Sequence, residues 1–154
     1  SVDVKSEVGK GTTFTIYLPL TLSIIQALLV KVGSETFAIS LGFIEKVIKI
    51  NKDDIKCSSG REVIVYRDEI IRVIRLSEKL HIENNDEEDG FVVIVKFGDK
   101  HLGLIVDSLV GQQEIVIKPL GKSLRKLKQY VGSTILGDGR VTLILDIVSI
   151  ISER

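Results

Sequence analysis

The sequence predicts a mainly all-β chain folded as two small barrels of about five strands each, packed side by side, with a few short helices. Three observations lead there. Apolar runs are short, rich in β-branched residues and punctuated by Gly, Asn and Asp. A strand-hairpin-strand pattern occurs twice. Between the two occurrences, residues 83–90 (ENNDEEDG) carry no apolar side chain and so cannot contribute to a core.

Taken in order, VDVKSE at the start alternates as a strand. Further strands are expected at LLVKV (28–32), TFAIS (36–40), EKVIKI (45–50), REVIVY (61–66), IIRVIRL (70–76), FVVIVKF (91–97), HLGLIV (101–106), EIVI (114–117) and VTLILDI (141–147). Turn residues fall between them: Gly33-Ser34, residues 51–54, Ser58-Ser59-Gly60, Arg67-Asp68, Gly98-Asp99 and Gly137-Asp138-Gly139, with Asp138-Gly139 read as a type I′ signal. Helical signals are few. Leu120, Leu124 and Leu127 recur at helical spacing opposite Lys122, Arg125, Lys126 and Lys128, residues 76–80 form a turn or two, and Asp146 caps a last helix over 147–151.

The repeat is specific. VKVGSETFAI (30–39) aligns with VKFGDKHLGL (95–104), an offset of 65 residues, and RDEIIRVIRL (67–76) aligns with GDGRVTLILD (137–146). It places a first barrel at about 24–82 and a second at about 91–154, joined by the acidic stretch 83–90, and leaves open a strand exchange between them. Residues 1–23 precede both. With no methionine anywhere and a strand already under way at residue 2, the chain is expected to be a piece of a longer protein.

Composition excludes several functions. Basic and acidic residues number 21 each, so no basic face is expected to supply affinity for nucleic acid. The single cysteine, Cys57, cannot form an internal disulfide and has no base near it in sequence. His81 and His101 lie in no HxxxH or CxxC pattern, so no metal is expected. No carboxylates pair as acid and base. No apolar run approaches a membrane span, and the chain is expected to be cytoplasmic, without direct membrane insertion.

Two features remain. SEVGKGTTFTIYLP (6–19) has the look of a phosphate loop, with Gly9, Gly11, Thr12 and Thr13 as candidate cofactor-binding residues. Several strands are also apolar on both faces. In 44–50, Ile44, Ile48 and Ile50 are expected on one face and Val47 on the other; 63–66 and 91–95 show no polar face. That surplus either packs between the barrels or marks a partner surface.

GSTILGDGRVTLILDI (132–147) and LGLIVDSLVGQQEIVIKPL (102–120) resemble the closing and middle motifs of CheW-like domains. SVDVKSEVGKGTTFTIYLPLTLSIIQALLV (1–30) resembles the junction at which the ATP-binding domain of the chemotaxis histidine kinase CheA enters its CheW-like regulatory domain. The resemblance implies two SH3-like barrels and a non-catalytic regulatory module. Its partners would be a CheW-type coupling protein, the cytoplasmic tips of chemoreceptors and the parent kinase domains, within receptor arrays near the membrane. ATP and magnesium would belong to the parent kinase. The resemblance also implies that the GKGT element is a vestigial end of the nucleotide site, because neither a DxGxG box nor an Asn-bearing magnesium helix is present; a stand-alone coupling adaptor is the alternative. Partner-binding candidates are Ile44, Val47, Ile48, Val63, Val65 and Tyr66 in the first barrel, and Val131, Ile135 and Leu136 in the second.

Overall fold

The structure is a computed structural model and describes residues 2–16, 23–83, 90–120 and 128–152. The expected amphipathic helix around Leu124, most of the acidic stretch and the connection after the first hairpin lie outside the described residues.

The first two strands, β1 (Val2–Glu7) and β2 (Gly11–Ile16), form a two-stranded antiparallel sheet of their own. The glycines of the loop-like motif make its turn. Gly9 and Gly11 sit at φ 84° and 104°, where a Cβ is disfavoured, and Lys10 N–H donates to the Glu7 carbonyl at 3.0 Å. Val4 faces Phe14 across the hairpin, and both are exposed.

Eleven further strands follow: β3 (Ser23–Val32), β4 (Glu35–Ser40), β5 (Ile44–Ile50), β6 (Lys56–Ser58), β7 (Arg61–Tyr66), β8 (Glu69–Arg75), β9 (Gly90–Phe97), β10 (Lys100–Val106), β11 (Ser108–Ile117), β12 (Tyr130–Ile135) and β13 (Val141–Leu145). Helix α1 (Leu76–Lys79) follows β8, and α2 (Ile147–Ser152) ends the described chain. One sheet has the order β5-β9-β10-β8-β7-β6 and the other β11-β3-β4-β13-β12. The second closes on itself through the Lys118–Ser133 bridge, with bonds of 2.8 and 2.9 Å.

This topology corrects the consecutive barrel boundaries. One barrel is continuous, from β5 to β10, and is inserted into the other, which is framed by β3 and β4 on one side and β11 to β13 on the other. The boundary moves because two parallel pairings, β4 with β13 and β10 with β8, each join a repeated hairpin to strands of the other half. Parallel partners need a long crossover, which local sequence does not announce. The chain crosses between the barrels at Leu41–Phe43, a 3₁₀ turn, and at Asp107.

Three apolar clusters follow. Ala27, Leu29, Ala38, Ile115, Leu136 and Ile144 fill the framing barrel. Ile50, Ile64, Ile71, Val73, Val92 and Ile94 fill the inserted barrel. The largest, with Val30, Phe37, Val93, Val95, Leu104 and Ile147 among its members, lies between the sheets. Strand β9 shows why both of its faces are apolar: Val92 and Ile94 point into the barrel while Val93 and Val95 point into the central cluster.

Local chemistry agrees with most sequence signals. The aligned turns Gly33-Ser34 and Gly98-Asp99 both place glycine at positive φ (59° and 61°), the II′ hairpin pattern. Asp146 caps α2: its carboxylate accepts from Ser149 N–H at 3.1 Å and Ser149 Oγ–H at 2.9 Å. The type I′ expectation at Asp138-Gly139 changes. Only Gly139 (86°) has positive φ, and its N–H donates to the Leu136 carbonyl at 2.9 Å, a turn followed by a glycine bulge. Type I′ geometry occurs instead at Arg67 (49°) and Asp68 (64°), where both central residues are non-glycine.

A bulge resets strand β5. Pairing steps from Ile44↔Val95 to Lys46↔Ile94, so Glu45 is the extra residue. Ile44 therefore falls on the same face as Val47, towards the central cluster, while Ile48 and Ile50 face the inserted-barrel core. The expected grouping of Ile44 with Ile48 and Ile50 fails for this reason. Ile48→Glu is thus expected to destabilise the fold by about 3 kcal/mol, because it drives a carboxylate towards an apolar core. Val65→Glu, on an exposed side chain, should leave the urea midpoint nearly unchanged. Gly103→Ala should cost about 1–3 kcal/mol, since its Cβ would lie 2.7 Å from both Val73 Cγ1 and Val92 Cγ1. Urea unfolding followed by circular dichroism checks all three.

Candidate interaction surface

The structure divides the candidate partner-binding residues into two kinds. Ile44 and Val47 pack against the central cluster, and Ile48 and Tyr66 against the inserted-barrel core. Val63 is buried between its neighbours Lys56 and Arg72 on the flanking strands. Leu136 belongs to the framing-barrel core. Val65, Val131 and Ile135 stay exposed.

The exposed residues have cross-strand partners that sequence reading missed. Val65 sits opposite Ile70, at 65% and 69% exposure. Ile135 sits opposite Val141, at 53% and 66%. Each pair lies beside a hairpin turn, one on the inserted barrel and one on the framing barrel, on strands that the repeat makes equivalent. Hairpin register was the signal that could have found them, since a two-residue turn at Arg67-Asp68 fixes Ile70 opposite Val65.

One member of each pair, Val65 and Ile135, lines a cavity. Val65, with Ile48, Ile50 and Ile64, lines one of about 410 Å³ whose rim carries Lys49, Asp53, Asp54 and Lys56. Ile135, with Ile115, Val116 and Thr134, lines one of about 310 Å³ between β11 and β12. An apolar base with a polar rim suits protein docking. The turns beside the pairs are charged. Arg67 lies 5.2 Å and Lys46 Nζ 5.7 Å from the Tyr66 ring centroid, favourable cation–π geometry. On the other barrel, Arg140 donates from its backbone N–H to Asp138 Oδ1 at 3.0 Å and from Nε to Oδ2 at 2.6 Å. Those bonds hold the Asp138 carboxyl below the usual carboxylate range.

The other sequence candidates are dispersed. Gly9, Gly11, Thr12 and Thr13 are all exposed on the first hairpin. His81 is exposed, His101 Nε2 lies 3.0 Å from Glu45 Oε2, and Cys57 is exposed on β6. Among the described residues no three His, Cys, Asp or Glu side chains gather as a metal site. No helix among them is long and apolar enough to cross a membrane.

Comparison with known proteins agrees with this architecture. A family model described as CheW-like domain matches residues 26–154. The chain is 47% identical over 148 residues to the chemotaxis protein CheA of Bacillus subtilis (strain 168), covering 95% of the chain and 22% of that protein. It is 42% identical to the sensor histidine kinase CheAY of Helicobacter pylori, covering 95% of the chain and 18% of that protein. The chain thus spans about a fifth of the length of these relatives. In fold it is similar to the scaffolding protein TtCheW from Thermoanaerobacter tengcongensis, with a TM-score of 0.67 at 20% identity over 81% of this chain and 90% of that one. Two small barrels, a family match over most of the chain and a likeness to CheA over 95% of this chain lead to one conclusion: the chain belongs to the CheW-like domain family and resembles the regulatory domain of CheA.

Proposed function

We propose that this chain is the non-catalytic regulatory module of a chemotaxis histidine kinase, docking the kinase to a CheW-type coupling protein and to chemoreceptor tips. The observation that carries this reading is the extent of the likeness to CheA. It covers 95% of the chain and so takes in most of the residues ahead of 26, where the CheW-like match begins. That extent favours a kinase segment over a stand-alone coupling adaptor.

The docking surfaces are the two exposed apolar pairs. Val65 and Ile70 serve one barrel, Ile135 and Val141 the other, so one domain can hold two partners at once. Heterologous contacts of this kind build rings or open arrays according to the rotation between neighbours. The glycine-rich hairpin is expected to take no part in docking or nucleotide binding; among the described residues its turn is exposed.

Calorimetry with purified CheW, a receptor-tip fragment and ATP as separate titrants tests the reading. Saturable heat with CheW and none with ATP is expected. Val65→Glu and Ile135→Glu should each weaken CheW or receptor binding by at least about thirtyfold, the loss of roughly 2 kcal/mol typical of an interface hot spot. Unchanged affinity in both variants, with native circular dichroism, would place docking elsewhere. ATP binding tighter than millimolar would return the first hairpin to a nucleotide role.

A further inference from the structure

We infer that the two barrels form one rigid body, so that a partner docked on either barrel regulates the preceding chain by displacing the whole domain and not by changing an angle between barrels. The inference concerns regulation at the surfaces proposed above and rests on that reading for its biological sense.

The first support is where the main core lies. Among the described residues, the cluster between the barrels holds 15 buried residues, against six in the cluster inside each barrel. Both barrels supply it: Val30, Val32 and Phe37 from the framing barrel meet Val93, Val95 and Leu104 from the inserted one. Rotation of one barrel on the other would open or misalign the largest apolar cluster among the described residues. Close-packed interiors are not continuously deformable; they resist small shifts. A partner can bias such a change only by the difference in its affinity for the two arrangements.

A latch adds to this. Helix α2 continues from β13 of the framing barrel but packs on β9 and β10 of the inserted barrel. Its Ile147 and Ile150 are almost fully buried in the central cluster. The last framing strand is therefore fastened to its neighbour by the residues that follow it.

The crossings lack the slack of a hinge. A hinge needs terminal residues free to absorb a change in φ and ψ. At the second crossing only Asp107 separates β10 from β11, and it is bonded through both backbone and side chain. Its N–H donates to the Lys31 carbonyl at 3.0 Å, and its Oδ2 accepts from Gly33 N–H at 2.5 Å. Gly33 is itself wedged: at φ 59°, an added Cβ would lie 2.5 Å from the Glu83 carbonyl oxygen. At the first crossing, Phe43 packs on Phe97 of β9 at 6.3 Å between ring centroids, and Ile44 N–H donates to the Leu41 carbonyl.

The test uses the whole chain and its single native cysteine. Cys57 is exposed on the inserted barrel, and Gln112→Cys adds one exposed thiol on the framing barrel. With a spin label on each, pulsed electron paramagnetic resonance reads the barrel-to-barrel distance, free and with CheW, while calorimetry on the labelled protein reports binding. A single narrow distance that stays the same when CheW binds is expected. A displaced peak, or a second distance on binding, would overturn the inference. If no binding heat is seen, the docking proposal fails, and the free protein still decides this one: a broad or two-peaked distribution would reject it. Hydrogen exchange gives an independent reading. The amides of β3 and β9 should exchange through one shared opening, with the same free energy; separate openings for the two barrels would contradict a single rigid body.

Discussion

Strands β3 and β9 are buried on both faces, and the apolar layer that this creates between the sheets is the constraint on which the rest of the molecule depends. Neither small barrel has room for a large interior. Among the described residues, each encloses a cluster of six well-buried apolar residues, while the layer between them holds 15. A domain of this size gains stability from the apolar area it removes from water. Here the largest of the three apolar clusters draws on both barrels at once. The inserted barrel, although continuous in sequence, would expose Val93, Val95, Leu102 and Leu104 if it were separated from its frame.

That layer also decides what remains for partners. Apolar side chains on β4, β9 and β10 that alternation alone could not place are consumed between the sheets. Among the apolar side chains that stay outside are two cross-strand pairs, one on each barrel, each beside a hairpin turn and each with one member lining a cavity. The arrangement places similar apolar chemistry on each barrel. Local strain is found at the same place. Arg67 and Asp68 both adopt left-handed geometry in a turn that glycine would fill more easily, and the Arg67 guanidinium lies on the Tyr66 ring. The turn thus presents a charge next to the Val65–Ile70 pair at some cost in backbone energy.

Much of the architecture was legible from sequence. Short β-branched runs located nearly all the larger strands, paired glycine turns located the two repeated hairpins, and Asp146 located the start of α2. Motifs at 102–120 and 132–147 pointed to the CheW-like family, to which the chain belongs. Strands β6 and β12 were missed, the first because three exposed residues carry no periodic signal, the second because Gly132 and two hydroxyl residues interrupt its apolar pattern. Of the surface candidates, Val65, Val131 and Ile135 are exposed, whereas Ile44, Ile48 and Leu136 are packed against cores.

The sequence by itself determined where strands begin and turn, that the pattern repeats, and which family the chain resembles. These are local properties: they follow from backbone preferences, turn chemistry and the two-residue period of a strand. Only the tertiary structure decided which barrel each hairpin joins and which face of each strand meets solvent. The parallel pairings of β4 with β13 and of β10 with β8 join residues far apart in the chain. The bulge at Glu45 shifts the phase of β5 by one residue and sends every later side chain to the opposite face. A strand apolar on both faces has no alternation to read, so what lies across each face is settled by the element packed against it.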